Sequence, residues 1–469
     1  MLFSSTIFLF IFLPIVLFVY YGVLRQTRLR NYWLLIVSLF FYAWGEPVYV
    51  FLMLFSITGN YLMGLWLDKV PGPRKKLLLI ASVVMNLGIL FYFKYYDFLV
   101  TNLNAFLGLR LELRHLPLPI GISFFTFQAM SYVIDLYRGT TPVQKNPCYL
   151  ALYISFFPQL IAGPIVRYNT IAQQINNRHV DLDVFEKGVC RFLQGVSKKI
   201  LLANVMAIPA EQVFGAALGT ELSSATAWLG ALAYTFQIYF DFSGYSDMAI
   251  GLGKMFGFTF EENFRHPYIS RSVSEFWNRW HISLGQWFRD YVYFPLGGSR
   301  VSRSKLVRNL AVVWLLTGIW HGAAWRFILW GVLYGVIITL EKLTGFPKKA
   351  TRPLVTNSYA VVTFLLVVMG WVLFGALGLR PALYQLGAMF GLGAACLWDP
   401  QASFLLQEYG IYYLLSAIFS TPLPGMLTGK LKKNTLYHVA KACVYMALLM
   451  IAVSYLLMDA HNPFIYFNF

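Results

Sequence analysis

The feature that most constrains this chain is a succession of apolar runs, each about as long as a bilayer is thick. A membrane-crossing helix needs roughly 20 consecutive apolar residues. Runs near that length fall at about 7–24, 31–66, 77–93, 117–137, 148–166, 189–216, 223–245, 309–340, 355–378, 401–423 and 436–457. The second is long enough for two helices and is broken at Gly45-Glu46-Pro47. Only 12% of the 469 residues are charged, about half the roughly 25% of a soluble domain. That is too little polar material to coat water-soluble domains of this total length. The expected fold is an all-α polytopic membrane protein with about eleven transmembrane helices, some of them short or re-entrant. A soluble enzyme, a fibrous protein and a disordered chain are excluded.

The 37 Lys and Arg against 20 Asp and Glu give a net charge of +17. This surplus does not point to nucleic acid, because the basic residues cluster between apolar runs, as in the cytoplasmic loops of membrane proteins. Arg25, Arg28 and Arg30 follow the first run, and Lys430, Lys432 and Lys433 precede the last. Both termini are therefore expected outside, which requires an odd number of crossings; eleven fits. The first run lacks a preceding basic region and a small-residue cleavage site, so it reads as a retained helix. Cys148, Cys190, Cys396 and Cys443 show neither metal-ligand spacing nor a disulfide framework.

The run at 309–340 has Arg300, Arg303, Lys305 and Arg308 on one side and Lys342, Lys348, Lys349 and Arg352 on the other. With both flanks cytoplasmic, it must enter and return, turning near Trp320-His321-Gly322-Ala323-Ala324. Each arm is then expected to be shorter than a full span, leaving His321 deep in the membrane. A titratable group there is costly and is by default a functional candidate. Neutral imidazole can take a proton from a hydroxyl, and burial helps to keep it neutral. The bland alternative is a core histidine bonded to a backbone carbonyl. Gly318 and Gly322 leave room for close helix approach or for substrate.

Phe276 to Tyr291 reads as one amphipathic interfacial helix with Trp277, His281, Leu284 and Phe288 on one face. His281 is either an active-site group or merely hydrogen-bonded among anchoring tryptophans. Asp241 and Asp247 bring two acids into an otherwise membrane-like run, where Gly and Ser are expected to interrupt the helix. The acids either orient substrate or cap broken helix ends. The tail Asn462-Pro463-Phe464-Ile465-Tyr466-Phe467-Asn468-Phe469 is aromatic to its last residue and is expected to pack as an anchor at the outer interface. There is no phosphate-binding glycine loop, His-Glu-x-x-His pair or Gly-x-Ser-x-Gly turn. Redox and nucleotide-hydrolysing chemistry therefore lose support.

Taken in order, several segments resemble the membrane-bound O-acyltransferase (MBOAT) family, in its bacterial alginate O-acetyltransferase branch. They are Leu2-Phe3-Ser4-Ser5, the Phe157-to-Ile165 stretch, Asp241 to Gly251, Trp277 to Ile282, Trp320-His321-Gly322-Ala323 and the Phe464-to-Phe469 tail. The resemblance implies a single MBOAT domain over 1–469, with helices around a central tunnel or funnel, a catalytic core within 261–340 and an extracytoplasmic aromatic tail at 458–469. It implies that His321 is the signature catalytic histidine and His281 the second active-site histidine. His281 would hydrogen-bond a developing oxyanion or position the acyl group. The tail is similar to that of a small partner protein in teichoic-acid D-alanylation, which implies Tyr466 as an acyl relay. Asn278, Trp280, Asp241, Asp247 and Trp320 are candidate tunnel residues.

The expected activity is O-acetylation of an extracytoplasmic polysaccharide from a cytoplasmic thioester, acetyl-CoA, with no bound cofactor and no metal. An extracytoplasmic acetyltransferase partner would complete the transfer. The expected location is the bacterial cytoplasmic (inner) membrane, in contact with its lipids. The alternatives are a D-alanyl transferase fed by a carrier protein, a transporter or flippase, and a structural scaffold. A transporter would show paired broken helices in two related halves, and no such symmetry is visible.

Overall fold

A computed structural model of the protein describes residues 1–469 apart from 180, 218, 220, 349, 351, 430, 432–433, 459–464 and 466–469. Among the described residues every regular element is a helix, and the chain is an all-α polytopic membrane protein. Tyr49–Lys69, Arg74–Lys94, Trp325–Thr344, Pro353–Gly375 and Thr435–Met458 are long and apolar enough to cross a membrane. The bent pair Pro400–Phe419 and Leu423–Gly429 adds one more candidate. Among the described residues fewer helices than the about eleven expected crossings are this long and apolar, because several runs fold into shorter helices. The run at 117–137 supplies only Ile122–Tyr137, 16 residues long. The run at 148–166 is split into Pro147–Ser155 and Phe157–Leu160. The break expected at Gly45-Glu46-Pro47 is present, between Thr27–Gly45 and Tyr49–Lys69.

The chain divides into two compact units, Met1–Phe192 with Tyr245–Glu261, and Leu193–Gly244 with Glu262–Phe469. In the first, the opening residues and the Phe157 stretch serve packing. The Phe3 ring stacks on Tyr245 at 4.8 Å and meets Phe41 at 5.6 Å, and Phe41 meets Phe157 at 5.5 Å. The Phe157 N–H, freed where the two helices split, donates to Ser38 Oγ at 3.1 Å. Between the apolar helices Tyr49–Lys69 and Arg74–Lys94, Asn60 and Asn86 exchange side-chain hydrogen bonds at 3.1 and 2.8 Å. Such reciprocal amides join helices that have no hydrophobic reason to associate in lipid.

The helix Ser224–Met255 runs unbroken for 32 residues, so the expected interruption near Asp241 to Gly251 does not occur. Where water is scarce, intrahelical bonds are the backbone's cheapest partners, and glycine serves a different purpose. A Cβ on Gly251 would lie 2.6 Å from Phe192 N and 2.7 Å from Gly188 O, within the first unit. A Cβ on Gly244 would lie 2.9 Å from Gly195 O and 3.2 Å from Lys199 N, within the second. These glycines bring backbones together, and the acids beside them meet bases across the contact. Asp247 pairs with Arg191 at 2.7 Å in the first unit, and Asp241 pairs with Lys199 at 2.7 Å in the second. With the helix continuous, neither acid caps a broken helix end.

In the second unit the expected hairpin is present, with Arg303–His321 and Trp325–Thr344 packed on each other around a turn at 322–324. The arms are longer than expected, at 19 and 20 residues, because each helix takes in some of its flanking charged residues. At 1.5 Å per residue the turn lies roughly 27 Å along the axis from Arg303, close to a full span. Gly318 and Gly331 allow the arms to touch: their Cβ atoms would fall 2.5 Å from Phe327 O and Trp314 O, respectively.

Replacing Gly318 with Ala therefore forces the hairpin apart. Overpacking of this kind costs about 1–3 kcal/mol, so thermal unfolding in detergent should show a lower midpoint. Gly215→Ala, at a helical glycine with nothing within 4 Å, should leave the midpoint unchanged or raise it.

Candidate active site

His281 sits at a break between helices. Periodicity predicts one helix over Phe276 to Tyr291, but the backbone forms Val273–Arg279 and Ile282–Phe288, with His281 between them at φ 45°, ψ 53°. The left-handed region costs a non-glycine residue roughly 1–2 kcal/mol, so a tertiary contact must hold it there. Asn263 provides that contact. Its carbonyl accepts the Ile282 N–H at 3.0 Å, and its side-chain Oδ1 accepts the Ser283 N–H at 3.2 Å and the Ser283 hydroxyl at 2.9 Å. Apolar spacing cannot see such an acceptor 20 residues upstream, which is why the single-helix expectation fails.

The same Asn263 Oδ1 lies 3.2 Å from His281 Nδ1. A backbone N–H can only donate, so the bond from Ser283 identifies this atom as the acceptor oxygen. His281 Nδ1 therefore carries the proton, and Nε2 keeps its lone pair. Burial pushes this imidazole down to about 3, so the ring is neutral near pH 7. Asn263 falls within the polar stretch 261–300, but no sequence signal distinguishes it from its neighbours.

The seven-residue helix leading to His281 is too short to be stable alone. Ser272 Oγ accepts the Glu275 N–H at 3.0 Å, and Glu275 accepts the Arg271 N–H at 2.9 Å. Glu341 completes the capping from a distant helix. Its two carboxylate oxygens each accept a backbone N–H at 2.8 Å, from Val273 and Ser274, and the Tyr359 hydroxyl donates at 3.0 Å. Glu341 lies on the second arm of the hairpin, so the arm that follows His321 also braces the helix that precedes His281. A buried acid in an apolar helix is the kind of signal that should have marked it in the sequence.

His321 ends the first arm and is 3% exposed; His281 is 2% exposed. Trp320 meets both, its ring centroid 5.0 Å from His321 and 6.0 Å from His281. Trp330 and Phe374 present edges to His321 at 5.0 and 5.2 Å, and Phe242 meets His281 at 4.6 Å. Trp280 is buried in the same aromatic wall, 4.7 Å from Trp371. Gly318 and Gly322 serve close packing: a Cβ on Gly322 would strike the Phe327 ring at 2.2 Å.

The other sequence candidates are dispersed. Asn278 is exposed. Asp247 belongs to the first unit and pairs there with Arg191. Asp241 lies beside Phe242 and is engaged by Lys199. Tyr466 lies outside the described residues. Among the described residues no group of three His, Cys, Asp or Glu side chains is placed to hold a metal. The site can move a proton and exclude water: two buried imidazoles share one indole, and one of them has a fixed tautomer.

Residues 143–380 match the family model for MBOAT, the membrane-bound O-acyltransferase family. The probable alginate O-acetylase AlgI of Pseudomonas syringae pv. tomato is 48% identical over 401 residues, covering 84% of this chain and 76% of that protein. The protein of the same name from Pseudomonas putida is 42% identical over 497 residues, covering 100% of both chains. The peptidoglycan O-acetyltransferase of Helicobacter pylori is 34% identical over 521 residues, covering 100% of this chain and 98% of that one.

Glutamine at position 341 would offer one acceptor oxygen where the carboxylate offers two. Hydrogen bonds to charged groups contribute about 1.5–3 kcal/mol each, so Glu341→Gln should lower the thermal midpoint and shift tryptophan emission from the Trp277–Trp280 segment. A variant indistinguishable from wild type in both measurements would remove the bracing role.

Proposed function

The chain belongs to the membrane-bound O-acyltransferase family, and from that membership we propose that it moves acetyl groups from a cytoplasmic thioester, acetyl-CoA, toward an extracytoplasmic polysaccharide. That it is a membrane acyltransferase follows from the family. O-acetylation of a polysaccharide is supported by the alginate and peptidoglycan enzymes to which it is similar. The observation that carries the catalytic reading is the pairing of His281 and His321, both buried and both against the Trp320 ring.

In this reading His321 takes the proton from an acceptor hydroxyl, and the oxygen attacks the thioester carbonyl carbon. The C–S bond breaks, and the departing CoA sulfur recovers the proton from His321. The acceptor is left as an acetyl ester. Tyr466 supplies that hydroxyl and acts as a relay. An extracytoplasmic partner acetyltransferase then passes the acetyl group to a glycan hydroxyl, which restores the tyrosine. His281 positions the reacting hydroxyl. With Nδ1–H committed to Asn263, its Nε2 accepts a hydrogen bond rather than donating one to an oxyanion. The enzyme operates in the bacterial inner membrane with both termini outside.

General-base assistance contributes about 10²–10⁴ in rate. His321→Ala should lower acetyl transfer from labelled acetyl-CoA by that amount in purified protein, while the protein remains folded. Loss of the group that sets a catalytic histidine's tautomer is costly, so Asn263→Ala should slow transfer about tenfold or more. Mass spectrometry after donor addition without glycan should find an acetyl ester on Tyr466. A fully active Tyr466→Phe enzyme would eliminate the relay. Failure of acetyl-CoA to label the protein, with transfer only from a charged carrier protein, would favour D-alanyl chemistry.

A further inference from the structure

We propose that the buried Lys199–Asp241 ion pair is a dock for the chain's own Ile465 backbone, fixing the residue next to Tyr466. The Ile465 backbone N–H donates to Asp241 Oδ2 at 2.7 Å. The other carboxylate oxygen, Oδ1, lies 2.7 Å from Lys199 Nζ, which also donates to Asn204 Oδ1 at 2.9 Å. The Lys199 and Asp241 side chains are 4% and 2% exposed, and Ile465 is itself buried. The residue after Asp241 is Phe242, whose ring meets the His281 imidazole edge-on at 4.6 Å. Ile465 immediately precedes Tyr466 in the chain.

The local structure is built for this contact. Gly244 lets the Ser224–Met255 helix lie against the backbone at Gly195 and Lys199, which brings Asp241 within reach of the ammonium. The stretch Lys198–Ala203 is wound as a π-helix, a rare form that is frequent at functional sites. Burying two charges is expensive, and well-packed apolar residues often serve stability as well or better. A buried pair whose acid also holds a tail N–H is therefore better explained by where it fixes that tail. Lys199 and Asp241 are positioning residues: they touch no reacting atom but hold the Ile465 backbone, the residue before Tyr466.

The functional consequence rests on the reading of Tyr466 as acceptor, whereas the seat is tested separately. Hydrogen exchange of the C-terminal peptide, in the full chain in detergent, reads the Ile465 N–H directly. Asp241→Asn and the doubly neutral Asp241→Asn/Lys199→Met should reduce its protection roughly ten- to a hundredfold, the range for losing a charge-assisted bond. The double variant leaves no uncompensated buried charge, so it guards against simple misfolding. Acetyl turnover should fall at least tenfold in the same variants with the acetyl-CoA KM unchanged, and Asp241→Glu should recover part of both. Unchanged protection in the double variant overturns the dock, and lost protection with wild-type turnover overturns its positioning role. An active Tyr466→Phe enzyme would end the relay reading without altering the exchange result, so the two failures are distinguishable.

Discussion

Taking a hydrogen-bonding group out of water costs several kcal/mol unless another group answers it, and in a protein this apolar those answers organise the structure. Asn263 answers the helix break at His281 through its carbonyl and its side-chain oxygen. Glu341 answers the first N–H groups of the short helix before it. Asn60 and Asn86 answer each other between two apolar helices. In each case the partner is remote in sequence, so the polar contact also fixes which elements lie together.

Glycine determines how close those elements come. In lipid or in a tight interior, association depends on packing, and the absence of a side chain lets backbones touch. Gly318 and Gly331 close the histidine hairpin, while Gly244 brings Asp241 to Lys199 and Gly251 lies against Phe192. The long helix Ser224–Met255 thus carries its glycines at no loss of continuity. They would weaken a solvated helix, and here they are the reason the acids find bases.

The chemistry proposed for the site rests on the same packing. A neutral imidazole is a useful base only if its tautomer is set and its surroundings stay dry. Asn263 sets the proton on Nδ1 of His281, and the rings of Trp320, Trp330, Phe374 and Phe242 enclose the two histidines. Glu341 links the arm after His321 to the helix before His281.

Much of this was legible in the residues alone. Apolar run length and charge scarcity determined an all-helical membrane protein, because a continuous apolar run satisfies its own backbone in lipid as a helix, whereas the strands of a closed barrel alternate apolar and polar residues. Basic flanks on both sides of 309–340 determined a hairpin turning beside His321, and the order of motifs determined the family. Tertiary structure decided the rest. Periodicity read Phe276 to Tyr291 as one helix, because it records which residues are apolar and not which distant carbonyl will accept their N–H groups. Gly and Ser near Asp241 looked like helix breakers, because propensity is measured where water competes for the backbone. The parts played by Asn263, Glu341 and Lys199 depend on contacts between residues tens of positions apart. Local sequence carries no trace of those distances, since they are set by how helices pack and not by how each one forms.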